Sequence, residues 1–303
     1  MLITDPEILQ FIADTEAAYP ADSNVATAEE NRRNYDAMCA VFREPRPDGV
    51  QASDEIIAGV PVRRYQVDGY DKRPFLLYSH GGGYVIGGLE SHDDVCAELA
   101  DGTGCEVVSV DYRLAPEHLY PAQLDDVSAV WLAEADQGGR QGIVIGDSAG
   151  GNLSAGLCMR MRRVGGPMPM AQVLIYPGLG GDMQAPSYTE NAEAPLLRTS
   201  DLIFYKGILT NGDPGPLETD PELSPLKAKS FAGLPRAFVV TADVDPLRDD
   251  GPAYVDALKA EGIVAEWRNE PQLVHGYLRA RHRSTRARNS FAAIIDWINT
   301  VRE

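Results

Sequence analysis

The strongest chemical signal in the chain is Gly146-Asp147-Ser148-Ala149-Gly150, which follows the apolar run Ile143–Ile145 and precedes a helical stretch. G-x-S-x-G between a strand and a helix is the setting of a nucleophilic serine on a sharp, strained turn. Small residues two before and two after Ser148 let that turn form and lift the hydroxyl clear of the backbone. The amino end of the following helix adds a positive dipole beneath the oxygen.

A second signal lies upstream, where Tyr78-Ser79-His80-Gly81-Gly82-Gly83-Tyr84 follows the apolar run Phe75–Tyr78. Its glycines match neither G-x-G-x-x-G nor G-x-x-x-x-G-K-[ST], so both nucleotide readings fail on spacing. The remaining reading is an oxyanion loop in which bare backbone N–H groups converge on one developing negative oxygen. Gly82 and Gly83 would approach it from one side and Ala149 from the other, each donor worth about 2.7–4 kcal/mol of transition-state stabilisation. His80 and Asp147 are expected to support the two loops, and Tyr84 to line the substrate site.

A serine needs a base, and the base needs an orienting carboxylate. Of the five histidines, His80 belongs to the glycine loop and His92 and His118 precede the elbow, where surface or structural roles are expected. His282 sits among arginines. In the order serine, acid, base that accompanies this kind of elbow, the base follows it, which points to His275. Four acids, Asp243, Asp245, Asp249 and Asp250, stand just past the strand-like run Phe238–Thr241. Asp245 precedes Pro246 and is thereby held extended. Asp249 and Asp250 read as the first turn of the next helix, an ordinary place for carboxylates. Between Asp243 and Asp245 the local chemistry leaves the choice open.

The elements that must position these groups form a strand–helix alternation. Strands are expected at Phe75–Tyr78, Glu106–Val110, Ile143–Ile145, Val173–Tyr176, Phe238–Thr241 and Val264–Arg268. Helices are expected at His92–Gly102, Asp125–Ala135, Leu153–Val164, Pro252–Gly262 and Ser290–Val301. That pattern predicts an α/β fold with a mostly parallel central sheet flanked by helices. Two helices are expected in the first 45 residues. Asp5-Pro6 starts one, with Ile8, Phe11, Ile12 and Tyr19 on one face. A Thr27–Glu30 capping box starts the other, with Tyr35, Met38, Cys39 and Phe42 on its apolar stripe. Between Pro177 and Pro235 no strand is expected, only a helix near Asp201–Leu209, and such excursions are often lids or binding loops.

Composition narrows the partners. With 45 acidic and 27 basic residues among 303, the net charge is −18. Such a surface repels phosphate backbones and anionic lipids, so neither nucleic acid nor membrane is the expected partner. The amino terminus lacks the basic residues of a signal peptide. The four scattered cysteines read as buried thiols of a reducing, cytoplasmic setting. Five arginines between Arg279 and Arg288 read as a solvated helix face or a subunit contact rather than a nucleic-acid patch.

Taken in order, His80-Gly81-Gly82-Gly83, Asp111-Tyr-Arg-Leu-Ala-Pro-Glu-His118, Gly146-Asp-Ser-Ala-Gly-Gly151, Asp245-Pro-Leu-Arg-Asp249 and His275-Gly276 resemble the motifs of the hormone-sensitive-lipase-like carboxylesterases, the bacterial family IV esterases of the α/β-hydrolase superfamily. The resemblance implies an α/β-hydrolase fold with a helical cap. Ser148 would be the nucleophile, Asp245 the acid, His275 the base, and Gly82, Gly83 and Ala149 the oxyanion donors. It implies a catalytic domain over 46–179 and 231–303, a cap over 1–45 and 180–230, no metal or organic cofactor, and a possible homodimer. Tyr277 stands where phenylalanine is commoner, an expected change in the pocket wall. Cap residues Phe11, Tyr35, Met38, Phe42, Tyr188, Leu196, Leu197 and Phe204 suggest an enclosed apolar pocket for short- to medium-chain esters. Amides and lactones would suit the same triad, and a non-catalytic ligand-binding relative is the competing class. A histidine base must be neutral to act, so activity is expected to rise from acid to neutral pH.

Overall fold

Eight strands form one sheet in the order β1-β2-β4-β3-β5-β6-β7-β8 in the computed structural model, which describes residues 3–19, 27–69, 71–137 and 139–302. The strands are β1 (Val50–Ile57), β2 (Val60–Val67), β3 (Asp71–Ser79), β4 (Cys105–Val110), β5 (Gly142–Asp147), β6 (Ala171–Ile175), β7 (Arg236–Val244) and β8 (Ala265–Val274). From β4 through β8 in that order all neighbours run parallel, and every residue of β4, β5 and β6 is buried. Helices cover both faces, so these strands carry continuous apolar runs instead of alternation. This is the expected α/β-hydrolase architecture.

The hairpin β1–β2 was not among the expected strands. It joins the sheet antiparallel, β2 pairing with β4, and turns at Ala58 and Gly59, both at positive φ. β1 is an edge strand with one buried residue, Ile57, so it lacks the hydrophobic pattern by which a strand is read. β8 runs on to Val274, past the expected Arg268, and so delivers its last residue to the position directly before His275.

Of the two amino-terminal helices, α1 (Pro6–Ala17) packs on β8, and α2 (Ala28–Phe42) packs on the short turns at Glu90–His92 and Tyr277–Ala280. Asp5 caps α1 by accepting from Glu7 N at 3.0 Å, and Thr27 with Glu30 forms the capping box of α2. Their apolar stripes meet, with the Phe11 and Phe42 rings edge-to-face at 5.1 Å. Tyr19 falls beyond the end of α1, and residues 20–26 of the expected cap lie outside the described residues.

The helices that follow β3, β4 and β5 are α3 (Asp93–Thr103), α4 (Ala122–Asp136) and α5 (Ala149–Val164). Three follow in the excursion after β6: α6 (Pro186–Glu190), α7 (Thr199–Leu209) and α8 (Gly215–Thr219), with no strand between 177 and 235. The excursion is moored by two acids that had read as ordinary helix-start carboxylates. Asp250, at the start of α9 (Asp250–Ala260), is buried and accepts from Leu179 N at 2.7 Å, Gly181 N at 3.3 Å and the Tyr188 hydroxyl at 2.9 Å. Asp249 accepts from Ser187 N at 2.9 Å.

The arginine-rich stretch, which runs into α10 (Thr285–Arg302), is a solvated face only in part: Arg283, Arg286 and Arg288 are exposed. Arg281 is buried and pairs with Asp94 at 2.6 Å and Glu98 at 2.7 Å, while Arg283 pairs with Asp14 at 3.2 Å and Arg286 with Asp5 at 2.6 Å. These cations stitch the carboxy-terminal segment to α1 and α3. All four cysteines are buried free thiols. No helix among the described residues is long and apolar enough to cross a membrane.

Candidate active site

Ser148 sits between β5 and α5 with φ 53° and ψ −118°, a conformation sparsely populated by residues with a side chain. The turn persists because its surroundings leave no alternative. Ser148 N donates to Ile175 O at 2.8 Å. A Cβ on Gly150 would stand 1.8 Å from Ser79 O, and one on Gly146 would stand 2.4 Å from the Gly150 backbone. Side chains at those two positions would drive the elbow off β3.

His275, directly after β8, reaches Ser148 Oγ with Nε2 at 2.8 Å and Asp245 Oδ2 with Nδ1 at 2.7 Å. Asp245 is fully buried and its other oxygen accepts from Leu247 N at 2.9 Å. Asp243 makes no such contact; its Oδ1 accepts from Asn269 Nδ2 at 3.1 Å. Serine, imidazole and carboxylate thus form one unbroken hydrogen-bonded chain assembled from β5, β7 and β8. Such a chain can deprotonate a hydroxyl and hold the resulting imidazolium.

Gly82, Gly83 and Ala149 line the same cavity as Ser148 and His275. Their N–H groups have no acceptor among the described residues. The Gly82 carbonyl is turned into the loop, where it accepts from Val85 N and Ile86 N at 3.1 and 3.0 Å. His80 is fully buried, with Nδ1 2.7 Å from Gly81 O and its ring stacked on Tyr112 at 4.2 Å. Burial, aided by neighbouring His92, pulls its pKa down to about 4. Asp147 joins the two loops, accepting from Gly81 N at 2.9 Å and Tyr78 Oη at 2.8 Å. His92, expected only as a surface or structural histidine, is buried with Nε2 3.3 Å from Asp147 Oδ1, whereas His118 is exposed.

The cavity measures about 1320 Å³ and takes in Tyr84, Leu196, Leu197 and Phe204, together with Tyr35 and Met38 of α2. Phe204 stands at the rim, 61% exposed. Three expected wall residues are elsewhere. Phe11 and Phe42 spend their surface on each other in the core, and Tyr188 packs against Leu197 and Leu247. Tyr277 is also absent from the wall, being fully buried with its hydroxyl 2.7 Å from Ser290 Oγ. Tyr176, Tyr205 and Arg279 line the cavity without having been expected there. The Tyr176 ring lies 4.8 Å from that of His275, and the space left by the missing Cβ of Gly83 is filled by the Tyr205 ring. These residues carry no local motif; only the meeting of distant loops brings them to the site. No cluster of three or more His, Cys, Asp or Glu residues among the described residues could hold a metal ion.

Residues 76–279 match a family described as having the alpha/beta hydrolase fold. The chain is 41% identical over 286 residues to carboxylesterase NlhH of Mycobacterium tuberculosis, covering 90% of this chain and 88% of that protein. It is 31% identical over 300 residues to an ethyl acetate hydrolase of Pseudomonas putida, covering 91% and 92% of the two chains. Among solved structures, an esterase from the bacterial hormone-sensitive lipase family superposes with a TM-score of 0.89 at 28% identity, over the whole of both chains. With its fold, its motif order and its relatives in agreement, the chain belongs to the α/β-hydrolase family, among the hormone-sensitive-lipase-like carboxylesterases.

Proposed function

We propose that this carboxylesterase works through a Ser148–His275–Asp245 triad and an acyl-enzyme, and that it takes short- to medium-chain esters. The observation that carries the reading is the pair of contacts made by His275, 2.8 Å to Ser148 Oγ and 2.7 Å to Asp245 Oδ2. Ser148 Oγ attacks the ester carbonyl while His275 Nε2 takes its proton. Asp245 fixes the tautomer and stabilises the imidazolium. The oxyanion takes the free N–H groups of Gly82, Gly83 and Ala149. His275 then protonates the departing alcohol, and a water activated by the same nitrogen releases the acid. His80 and Asp147 hold the loops that carry these donors.

The cap is proposed to comprise 1–45 and 180–230, set on a catalytic domain of 46–179 and 231–303. Leu196, Leu197 and Phe204 are its contribution to the walls around the acyl and alcohol groups, and Tyr84 is that of the glycine loop. The apolar lining supports aliphatic chains of limited length. The test is hydrolysis of a p-nitrophenyl ester series. Turnover should peak at short to medium chains and fall by about 10³-fold or more in Ser148→Ala. Retention of a sizeable fraction of wild-type activity in that variant would overturn the mechanism, and a preference for long-chain triglyceride emulsions would overturn the substrate range.

A further inference from the structure

Arg279 lies on the cavity wall four residues after the proposed base, and no carboxylate answers its charge. Three of the four arginines that follow it in the basic stretch have acids close by: Arg281 has Asp94 and Glu98, Arg283 has Asp14, and Arg286 has Asp5, while Arg288 is exposed to solvent. Arg279 has none among the described residues, in a chain with 45 acidic residues. Its guanidinium sits over the Tyr35 ring at 5.6 Å, and Nη1 donates to Tyr35 Oη at 3.2 Å. Nε is buried and donates to nothing. The groups around it are the phenols of Tyr35, Tyr176 and Tyr19 and the Cys39 thiol. All of them are neutral at working pH. Phenols and a ring face hold a cation in place but do not neutralise it.

The position is built rather than incidental. Gly276 has φ 74°, and the guanidinium lies against its bare Cα, where a Cβ would stand 2.5 Å from Arg279 Nη2. Arg279 keeps part of its surface open, and the cavity is where that surface lies. The other cavity cation without an ion pair, Lys206, differs in feeling the charge of Asp250. Of the acids lining the cavity, Glu16 is exposed, Asp147 is held by Gly81 N and the Tyr78 hydroxyl, and Asp201 accepts from Arg198 N; among the described residues none forms an ion pair with Arg279. A net charge of −18 argues for neutral substrates. On the cavity wall Arg279 nevertheless presents a positive charge that no ion pair among the described residues offsets.

We propose that Arg279 is an anion subsite of the active-site cavity and that the preferred substrates are esters bearing a second, free carboxylate, such as half-esters of dicarboxylic acids. The scissile carbonyl would lie at Ser148 while the remote carboxylate takes the guanidinium as its missing counter-ion. A guanidinium already desolvated and oriented by Tyr35 pairs with a carboxylate far more strongly than one in water. The inference rests on the ester-hydrolase reading but makes a separate demand on selectivity.

The test compares kcat/KM for p-nitrophenyl hydrogen glutarate, an anion, with that for its neutral methyl-capped counterpart. In the wild type the anion should be favoured by about tenfold or more, and R279Q should lower that ratio by about tenfold or more, mostly through KM, with R279K retaining a larger share. Because the ratio is read, a loss common to both substrates cancels. A wild-type ratio at or below one overturns the inference without recourse to any variant. So does a ratio that R279Q leaves unchanged, which would make Arg279 a purely structural residue. If neither ester is turned over, it is the ester-hydrolase reading that fails.

Discussion

The carboxylate of Asp147 accepts the Gly81 N–H at 2.9 Å, tying the residue before Ser148 to the first glycine of the oxyanion loop. Asp147 ends β5 and Gly81 follows the neighbouring parallel strand β3, with Ser79 of β3 opposite Gly146 of β5. The bond therefore sets the spacing between nucleophile and oxyanion donors. Burial pushes the Asp147 carboxyl up, but His92 and the Tyr78 hydroxyl outweigh it and hold the group well below the ordinary carboxylate range.

Asp147→Ala should leave Gly81 N–H and the Tyr78 hydroxyl without acceptors in the interior. Each orphaned donor costs about 1–3 kcal/mol, so a loss of about 3 kcal/mol in urea denaturation is expected. Because oxyanion donors act mainly on the transition state, kcat should fall more than KM rises.

Asp245→Asn should cut kcat by about 10⁴-fold with little change in stability, since a carboxamide leaves the imidazole in the wrong tautomer. Asp243→Asn removes a carboxylate that touches Asn269 and not His275, and should cost less than about tenfold. Steady-state kinetics on the two variants side by side checks the assignment; equal losses would contradict it.

Gly150→Ala places a methyl 1.8 Å from Ser79 O and 2.7 Å from His80 O, both backbone atoms that cannot swing away. A destabilisation of about 3 kcal/mol is expected, together with loss of activity. Gly207 on α7 is the control, since nothing lies within 4 Å of its missing Cβ. There alanine should stabilise by about 0.5–1 kcal/mol. Thermal and urea unfolding of the pair measures both.

His80 is neutral in the folded protein down to about pH 4, whereas in the unfolded chain it takes up a proton at about pH 6.5. Between those values the unfolded state binds more protons, so stability rises with pH. The contribution is fully present above pH 6.5 and is lost as pH falls to 4, about 3 kcal/mol in all. His80→Gln should therefore show a shallower loss of stability between pH 7 and pH 4.5 than the wild type. An unchanged slope in urea denaturation across that range would refute the assignment.

Elbow, glycine loop and sheet were legible in the sequence because each is dictated locally. A serine turn needs glycines at fixed offsets, and a strand buried on both faces must be apolar throughout. What remained open was decided by contacts between distant segments. Asp243 and Asp245 follow one strand two residues apart, and only the irregular pairing of β7 with β8 between Ala242 and Val244 presents the second of them to His275. β1 escaped notice because an exposed edge strand needs no hydrophobic pattern. Asp250 read as a helix-start acid until the excursion after β6 folded back to donate to it. Arg279 read as one arginine of a basic tail, yet Arg281, Arg283 and Arg286 after it find acids while it faces the catalytic cavity over Tyr35. Residue type determined what chemistry the chain could perform; the direction each side chain faces belongs to packing, because it depends on segments hundreds of residues away that no local pattern encodes.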